Sequence, residues 1–360
     1  MSQHRYIPCS KSAFKYALLK AWNGQGGWGK ILVFALLPVS WLFAGLVAIR
    51  RLFYQYSVYK QEQLPVPVIV VGNVMVGGVG KTPVTIALVK HLSSQGIQVG
   101  VLSRGHGRHT QNTLEVTAFS AANQAGDEPL LIARTCKVPV FVGTNRVEAG
   151  RSLLSRYPSV QVLVCDDGLQ HWSLARDLEL CVFDERGIGN GNFLPAGPLR
   201  EAWPRKVLRT TSSKHEVPCL VLKTAGQAGT NEYAVSRHLA DFAVQADGTQ
   251  RQLSKWKQTP AQALAGIAKP ELFFAMLRAK GVALSRTQAL PDHDDLQDLN
   301  IDFSFGEMFC TEKDAVKLWT HHPSAWAVPL ETTLPSELLL VIEKHLATAQ
   351  IAKLSSPYGH

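Results

Sequence analysis

The stretch VVGNVMVGGVGKTPVTIAL, from Val70 to Leu88, constrains the fold of this chain more than any other. The β-branched run Val66–Val71 suits a strand buried on both faces of a parallel sheet. It meets a cluster of glycines (Gly72, Gly77, Gly78, Gly80), then Lys81-Thr82, Pro83 and a helical pattern that Gly96 stops. Strand, glycine turn and helix in that order form a phosphate cradle. The usual spacing is G-x-x-x-x-G-K-[ST]. Gly80, Lys81 and Thr82 satisfy it, while Met75 holds the place of the first glycine. The loop Met75, Val76, Gly77, Gly78, Val79, Gly80, Lys81 and Thr82 is expected to wrap a nucleotide's phosphates with backbone N–H groups. Lys81 would reach the β and γ phosphates, the Thr82 hydroxyl would bind Mg²⁺, and the helix N-terminus would favour the negative charge.

The pattern of strand, turn and helix then repeats. Strands are expected over Gln98–Ser103, Thr113–Phe119, Val138–Val142, Val160–Cys165 and Leu178–Phe183, with helices ending at Cys136 and covering Asn145–Tyr157. Such alternation predicts an α/β fold, a doubly wound and mainly parallel sheet with functional loops at the strands' C-terminal ends. A phosphate-loop enzyme also needs a carboxylate at a neighbouring strand end to hold Mg²⁺. VQVLVCDDGLQH supplies Asp166 and Asp167, which would repel each other at a buried strand end without a cation. AGDEP adds Asp127 and Glu128 at a helix start, where a plain N-cap is the competing explanation. PDHDDL adds His293 among acids, weak evidence alone. Beyond about Ser212 the pattern weakens. It predicts strands at Pro218–Lys223 and Ala263–Ile267 and a helix over Pro270–Lys280, read as a smaller α/β lobe. The expected division is 1–63, an N-terminal membrane-associating segment; 64–210, the phosphate-loop core; and 211–360, the smaller lobe completing the site.

The first segment carries most of the net charge of +9. Met1 to Gln61 holds eight Lys/Arg and no Asp or Glu, which leaves 29 basic against 28 acidic residues elsewhere. A nucleic-acid binder would carry its basic patch on a folded face. Here the charge brackets ILVFALLPVSWLFAGLVAI, Ile31 to Ile49, nineteen uncharged residues that would make a helix of roughly 28 Å. Three readings stay open: a spanning helix, a helix dipping into one leaflet, and a buried core helix. The six cysteines contain no CxxC pair, so neither a zinc site nor a disulfide framework is indicated, and a reducing cytoplasm fits.

Together VVGNVMVGGVGKTP, SRGHGR, QAGDEP, DDGLQHWSLARDLEL, GNFLPAGPLRE, LPDHDDL and CTEKDAVK closely resemble one family, tetraacyldisaccharide 4'-kinase, the lipid A 4'-kinase of Gram-negative bacteria. Two departures are mild: His106 replaces a usual aromatic, and Ala268-Lys269 lie in a turn usually richer in glycine. The resemblance implies transfer of the γ-phosphoryl group of ATP to the 4'-hydroxyl of a glycolipid disaccharide, with Mg²⁺, at the cytoplasmic face of the inner membrane. It implies Asp127 as general base with His293 as its dyad partner, and Lys81 in charge neutralisation. It places Mg²⁺ on Thr82 and Asp166, with Asp167 and Glu128 close by. It puts Arg146, Gln170, His171, Arg200 and Glu201 near phosphates or substrate. Neither nucleic acid nor an obligate protein partner is expected. The alternative is a membrane-associated ATPase of the partition or septum-positioning type, whose signature lysine before the two glycines is here Val76. TEKD, Thr311 to Asp314, resembles a GTPase base-reading motif but has Glu312 at the lysine position.

Overall fold

The computed structural model describes residues 18, 21–22, 27–108, 110–205, 217–292, 294, 296, 299 and 302–354. His293 lies outside them. An eight-stranded sheet forms the frame, in the order β3-β4-β2-β5-β1-β6-β7-β8. Its strands are β1 (Val68–Gly72), β2 (Val99–Ser103), β3 (Leu114–Val116), β4 (Val140–Val142), β5 (Val162–Asp166), β6 (Leu178–Phe183), β7 (Cys219–Lys223) and β8 (Glu232–Ala234). Only the β3–β4 pairing is antiparallel. Every residue of β1, β2, β5 and β6 is buried, as continuous apolar runs require when helices cover both faces. The decisive register is Val71 opposite Asp166. It sets the end of β5 beside the phosphate loop that leaves β1.

Four helices of this unit are α1 (Gly27–Gln55), α2 (Lys81–Ser94), α3 (Asp127–Cys136) and α4 (Arg146–Arg156). Helix α2 begins at Lys81, two residues before the start expected from Pro83. Proline is tolerated in a first turn, where its missing N–H has no intrahelical partner to lose.

The second unit is a mixed sheet in the order β11-β10-β15-β14-β12-β13. It comprises β10 (Phe242–Val244), β11 (Gln250–Gln252), β12 (Ala261–Ala265), β13 (Leu284–Ala289), β14 (Glu307–Thr311) and β15 (Trp326–Val328), with helices α5 (Pro270–Ala279) and α6 (Glu312–Leu318). Trp256 anchors its core, with Phe309 and Trp326 at ring-centroid distances of 4.9 and 5.1 Å. The chain enters this unit through β9 (Ser236–Leu239) and leaves through β16 (Leu330–Thr333), which pair with each other as an antiparallel ribbon.

The boundary near residue 210 differs from the observed packing. Strands β7 and β8 extend the first sheet. Helix α7 (Ser336–Leu354) also returns to it, burying Leu338, Ile342 and Leu346, spaced one helical turn apart, in the first core. Lys353 locks that return: its Nζ donates to the carbonyls of Leu64 and Val66 at 3.1 and 2.6 Å and pairs with Asp177 at 3.0 Å.

Helix α1 excludes the buried-core reading of the apolar segment. One face rests on the body: Ser40 is buried and donates to the Phe193 carbonyl, Phe43 meets the Phe193 ring, and Tyr54 meets Trp172. The opposite face exposes Ile31, Phe34, Trp41, Leu42, Leu46 and Ile49, with Phe34 76% exposed. Within Gly29–Gln55 an 18-residue stretch has a mean hydropathy of 2.4, and the helix is long and apolar enough to cross a membrane by length and composition.

Candidate active site

Two glycines of the phosphate loop sit where a side chain would crowd its neighbours. Gly80 adopts φ 90°, and a Cβ there would lie 2.7 Å from the Arg237 guanidinium; one on Gly78 would lie 3.0 Å from the Ala268 methyl. Both neighbours lie beyond β8, so the second half of the chain bears directly on the loop. Ala268 therefore occupies a contact point, which gives the glycine-poor turn a packing role.

The proline-rich connection after β6 latches onto the other side. Val76 N–H donates to the Pro198 carbonyl at 2.9 Å and Arg200 N–H to the Val74 carbonyl at 2.7 Å, while Met75 bridges to Leu199. Gln170 ties this connection to the loop. Its amide donates to the Asn73 carbonyl at 2.9 Å and to Glu201 at 2.6 Å, and its carbonyl accepts from Arg200 at 3.4 Å. Glu201 is buried, which pushes its carboxyl up, against the pull of Arg205 and Gln170.

At the centre, Lys81 pairs with Asp167 at 3.6 Å, and Arg200 with the same carboxylate at 3.5 Å. Burial alone would raise the Asp167 carboxyl; Lys81, Arg200 and Arg146 outweigh it and hold it below its ordinary range. Asp166 is fully buried. It accepts from the Thr85 hydroxyl at 2.7 Å and from Thr82 at 3.4 Å. Its carboxyl is pushed up to about 7, by burial first, then by Glu128 and Asp167. Such a carboxylate is short of positive charge. Mg²⁺ takes one or two protein carboxylates, with phosphate and water oxygens completing its shell. Asp166 and Thr82, hard oxygens within reach of one another, fit that demand. Among the described residues no group of three or more His, Cys, Asp or Glu forms a metal cage.

An acid whose pKa rises on folding binds its proton more tightly in the native state. Ionising Asp166 therefore costs stability as pH rises from about 4 through about 7. Asp166→Asn is expected to raise the thermal midpoint of the protein without nucleotide or metal by about 3–6 °C near pH 8. The difference should close below about pH 4. Differential scanning calorimetry reads it, and equal midpoints near pH 8 would dismiss the effect.

His171 is driven down to about 3, by burial first and then by Arg146, Arg176, Arg50 and Arg104. A neutral imidazole results. Its Nε2 lies 3.2 Å from the Arg146 N–H at the start of α4 and accepts from it. Arg146 itself is buried and donates to the Gly143 carbonyl at 2.8 Å.

Asp127 occupies the first position of α3, after Gly126 at φ 89°, and is 6% exposed. Gly126 packs on the backbone of Gly105, which brings the SRGHGR loop against it. Lys317 of α6 reaches across to pair with Asp127 at 2.7 Å, and the same Nζ donates to the Asp294 carbonyl at 2.8 Å. Lys317 thus links the Asp294 carbonyl to Asp127. Lys317 was visible in CTEKDAVK, but nothing in its spacing revealed this partner. In TEKD, Asp314 accepts from the Thr311 hydroxyl and the Gly266 N–H, so its carboxylate ties the start of α6 to the end of β12. Between the two units lies a cleft of about 550 Å³, lined by Gly80, Lys81, Thr82, Glu128, Asp184 and Arg237 among others.

The sequence pattern of the tetraacyldisaccharide-1-P 4'-kinase family matches residues 32–347. A tetraacyldisaccharide 4'-kinase of Acidovorax ebreus (strain TPSY) is 47% identical over 98% of this chain and 99% of its own. Another, of Dechloromonas aromatica (strain RCB), is 41% identical over 88% and 93%. Among solved structures, the "apo" form LpxK from Aquifex aeolicus in complex with ATP superposes with a TM-score of 0.72 at 26% identity, over 88% of this chain and 99% of that one.

Proposed function

The chain belongs to the tetraacyldisaccharide-1-P 4'-kinase family, and on that premise we propose that it transfers the γ-phosphoryl group of ATP to the 4'-hydroxyl of a tetraacyldisaccharide 1-phosphate, a lipid A precursor. The observation that carries the reading is the register of Val71 opposite Asp166, which sets two carboxylates against Lys81 and Thr82. Incubation of the purified protein with labelled ATP and the disaccharide precursor, followed by thin-layer separation, tests it. Absence of a labelled lipid from folded, ATP-binding protein would refute it.

In this mechanism the loop amides and the N-terminus of α2 hold the phosphates, and Lys81 neutralises charge on the group in transit. Thr82 and Asp166 would hold Mg²⁺, with Asp167 and Glu128 close by. The cation would supply charge neutralisation between the phosphates. Asp127 accepts the hydroxyl proton, because a sugar alcohol attacks well only as that proton leaves. Lys317 fixes the carboxylate's orientation, and His293 is assigned as its partner. Arg200 and Gln170 position Asp167 and the connection carrying Glu201. His171 accepts from the Arg146 backbone N–H and so fixes the start of α4, from which Arg146 lends its charge to Asp167.

The 1–63 segment is the membrane seat in this reading. With one face of α1 on the body and the other apolar and open, the helix lies in one leaflet, at the cytoplasmic face of the inner membrane where the glycolipid resides. Phe34→Glu combined with Trp41→Glu is expected to abolish co-sedimentation with anionic liposomes and leave ATP binding unchanged. Retained sedimentation would place the membrane surface elsewhere.

A further inference from the structure

The cleft contains a cation that none of the roles above uses. Arg237 lies on β9, opposite Thr332 of β16, in the ribbon that joins the two units. Its guanidinium Nη1 stands 2.7 Å from the position a Gly80 Cβ would take, and it lines the same cleft as Lys81 and Thr82. Its Nε is buried with no hydrogen-bond partner, and among the described residues its side chain makes no ion pair.

The nearest carboxylates are already engaged. Asp184 accepts from Arg186 at 2.9 Å and from Lys269 at 2.8 Å, and Lys269 also binds Glu185 at 2.5 Å. Three cations therefore share two acids beside the phosphate loop. A guanidinium partly withdrawn from water without its own counterion is costly. Its planar fork matches the oxygens of a phosphate. Gly80, directly beneath it, belongs to the loop whose amides wrap the nucleotide.

We propose that Arg237 binds the phosphate chain of the nucleotide, so that the ribbon between the units is a ligand-contacting element of the kinase site as well as a linker. This rests on the placement of ATP at the phosphate loop. The fork completes a phosphate clamp opposite Lys81: one cation rises from the start of α2, and the other descends from β9. Nucleotide binding then fixes the ribbon, and with it the unit that carries Lys317.

The test is equilibrium binding of ATP to the full-length, detergent-solubilised protein, with the thermal midpoint of the nucleotide-free form measured in parallel. Arg237→Gln is expected to raise the Kd for ATP by about 10–100-fold, the loss of charge-assisted bonds to phosphate, with the nucleotide-free midpoint not lowered. Exogenous guanidinium ion should restore part of kcat/KM to Arg237→Ala, which a purely structural role would not produce. If Arg237→Gln fails to fold, Arg237→Lys carries the test. It keeps the charge and loses the fork, so weaker ATP binding is expected at an unaltered midpoint. Wild-type ATP affinity in a folded variant overturns the proposal. A separate Lys81→Ala arm distinguishes the premise: unchanged ATP affinity together with unchanged turnover there would remove the nucleotide from this loop, and the role of Arg237 with it.

Discussion

Asp127→Asn is expected to lower kcat by about 10²–10⁴-fold, the usual contribution of a general base, with ATP affinity close to wild type. The amide keeps the size of the carboxylate and can still accept from Lys317, so the 2.7 Å contact at the start of α3 survives in weakened form. What disappears is the ability to take a proton from the sugar hydroxyl. The fold should tolerate the change because the amide keeps the side chain's size and the helix that follows is held by Leu130, Ile132 and Ala133 in the first core. Single-turnover kinetics at saturating ATP provide the measurement. A variant within about tenfold of wild type would move the base to another group. Pairing the substitution with His293→Ala adds information: residues acting as one unit give a double loss little larger than either single one.

Lys81→Ala should be similarly severe, for a different reason. Its ammonium is the loop's own positive charge, and the loop's amides cannot replace it on a phosphoryl group in flight. Loss of such a preorganised electrostatic contact costs about 10²–10³-fold in kcat. The substitution also leaves Asp167 with Arg200 as its remaining paired cation at 3.5 Å, so the carboxyl should rise toward its ordinary range. Phosphate transfer followed with labelled ATP measures the effect. More than about a tenth of wild-type turnover in a folded variant would deny Lys81 its part.

The frame around these residues was legible because its signals are local. Continuous apolar strands, a glycine turn and a lysine-threonine pair follow one another within twenty residues, and buried parallel strands tolerate little else. The adjacency of β1 and β5 was also within reach, since Asp166-Asp167 at a strand end makes chemical sense only beside Lys81 and Thr82. The ribbon was not legible. Strands β9 and β16 are four residues each and lie more than ninety positions apart, so neither periodicity nor turn chemistry announces their pairing. Arg237 sits in SRHL, which reads as an ordinary half-exposed strand. Lys317 stood inside a motif, yet its partner is 190 positions away and only the packing of α6 on α3 joins them. The return of α7 to the first sheet was hidden for the same reason: an apolar stripe at helical spacing states that a helix is buried, never against which sheet.

That return changes what kind of object the second unit is. Because β8 and α7 both belong to the first sheet's side of the molecule, the material between them is an insertion whose two ends leave through the same doorway. A lobe hung on one strand could swivel; a lobe hung on two hydrogen-bonded strands has essentially one soft motion, a bend of the ribbon, since sliding or splaying would break the β9–β16 ladder. Lys317 and Asp294, whose carbonyl it holds, therefore move with that bend as one piece, and the Lys317–Asp127 contact forms or breaks with it.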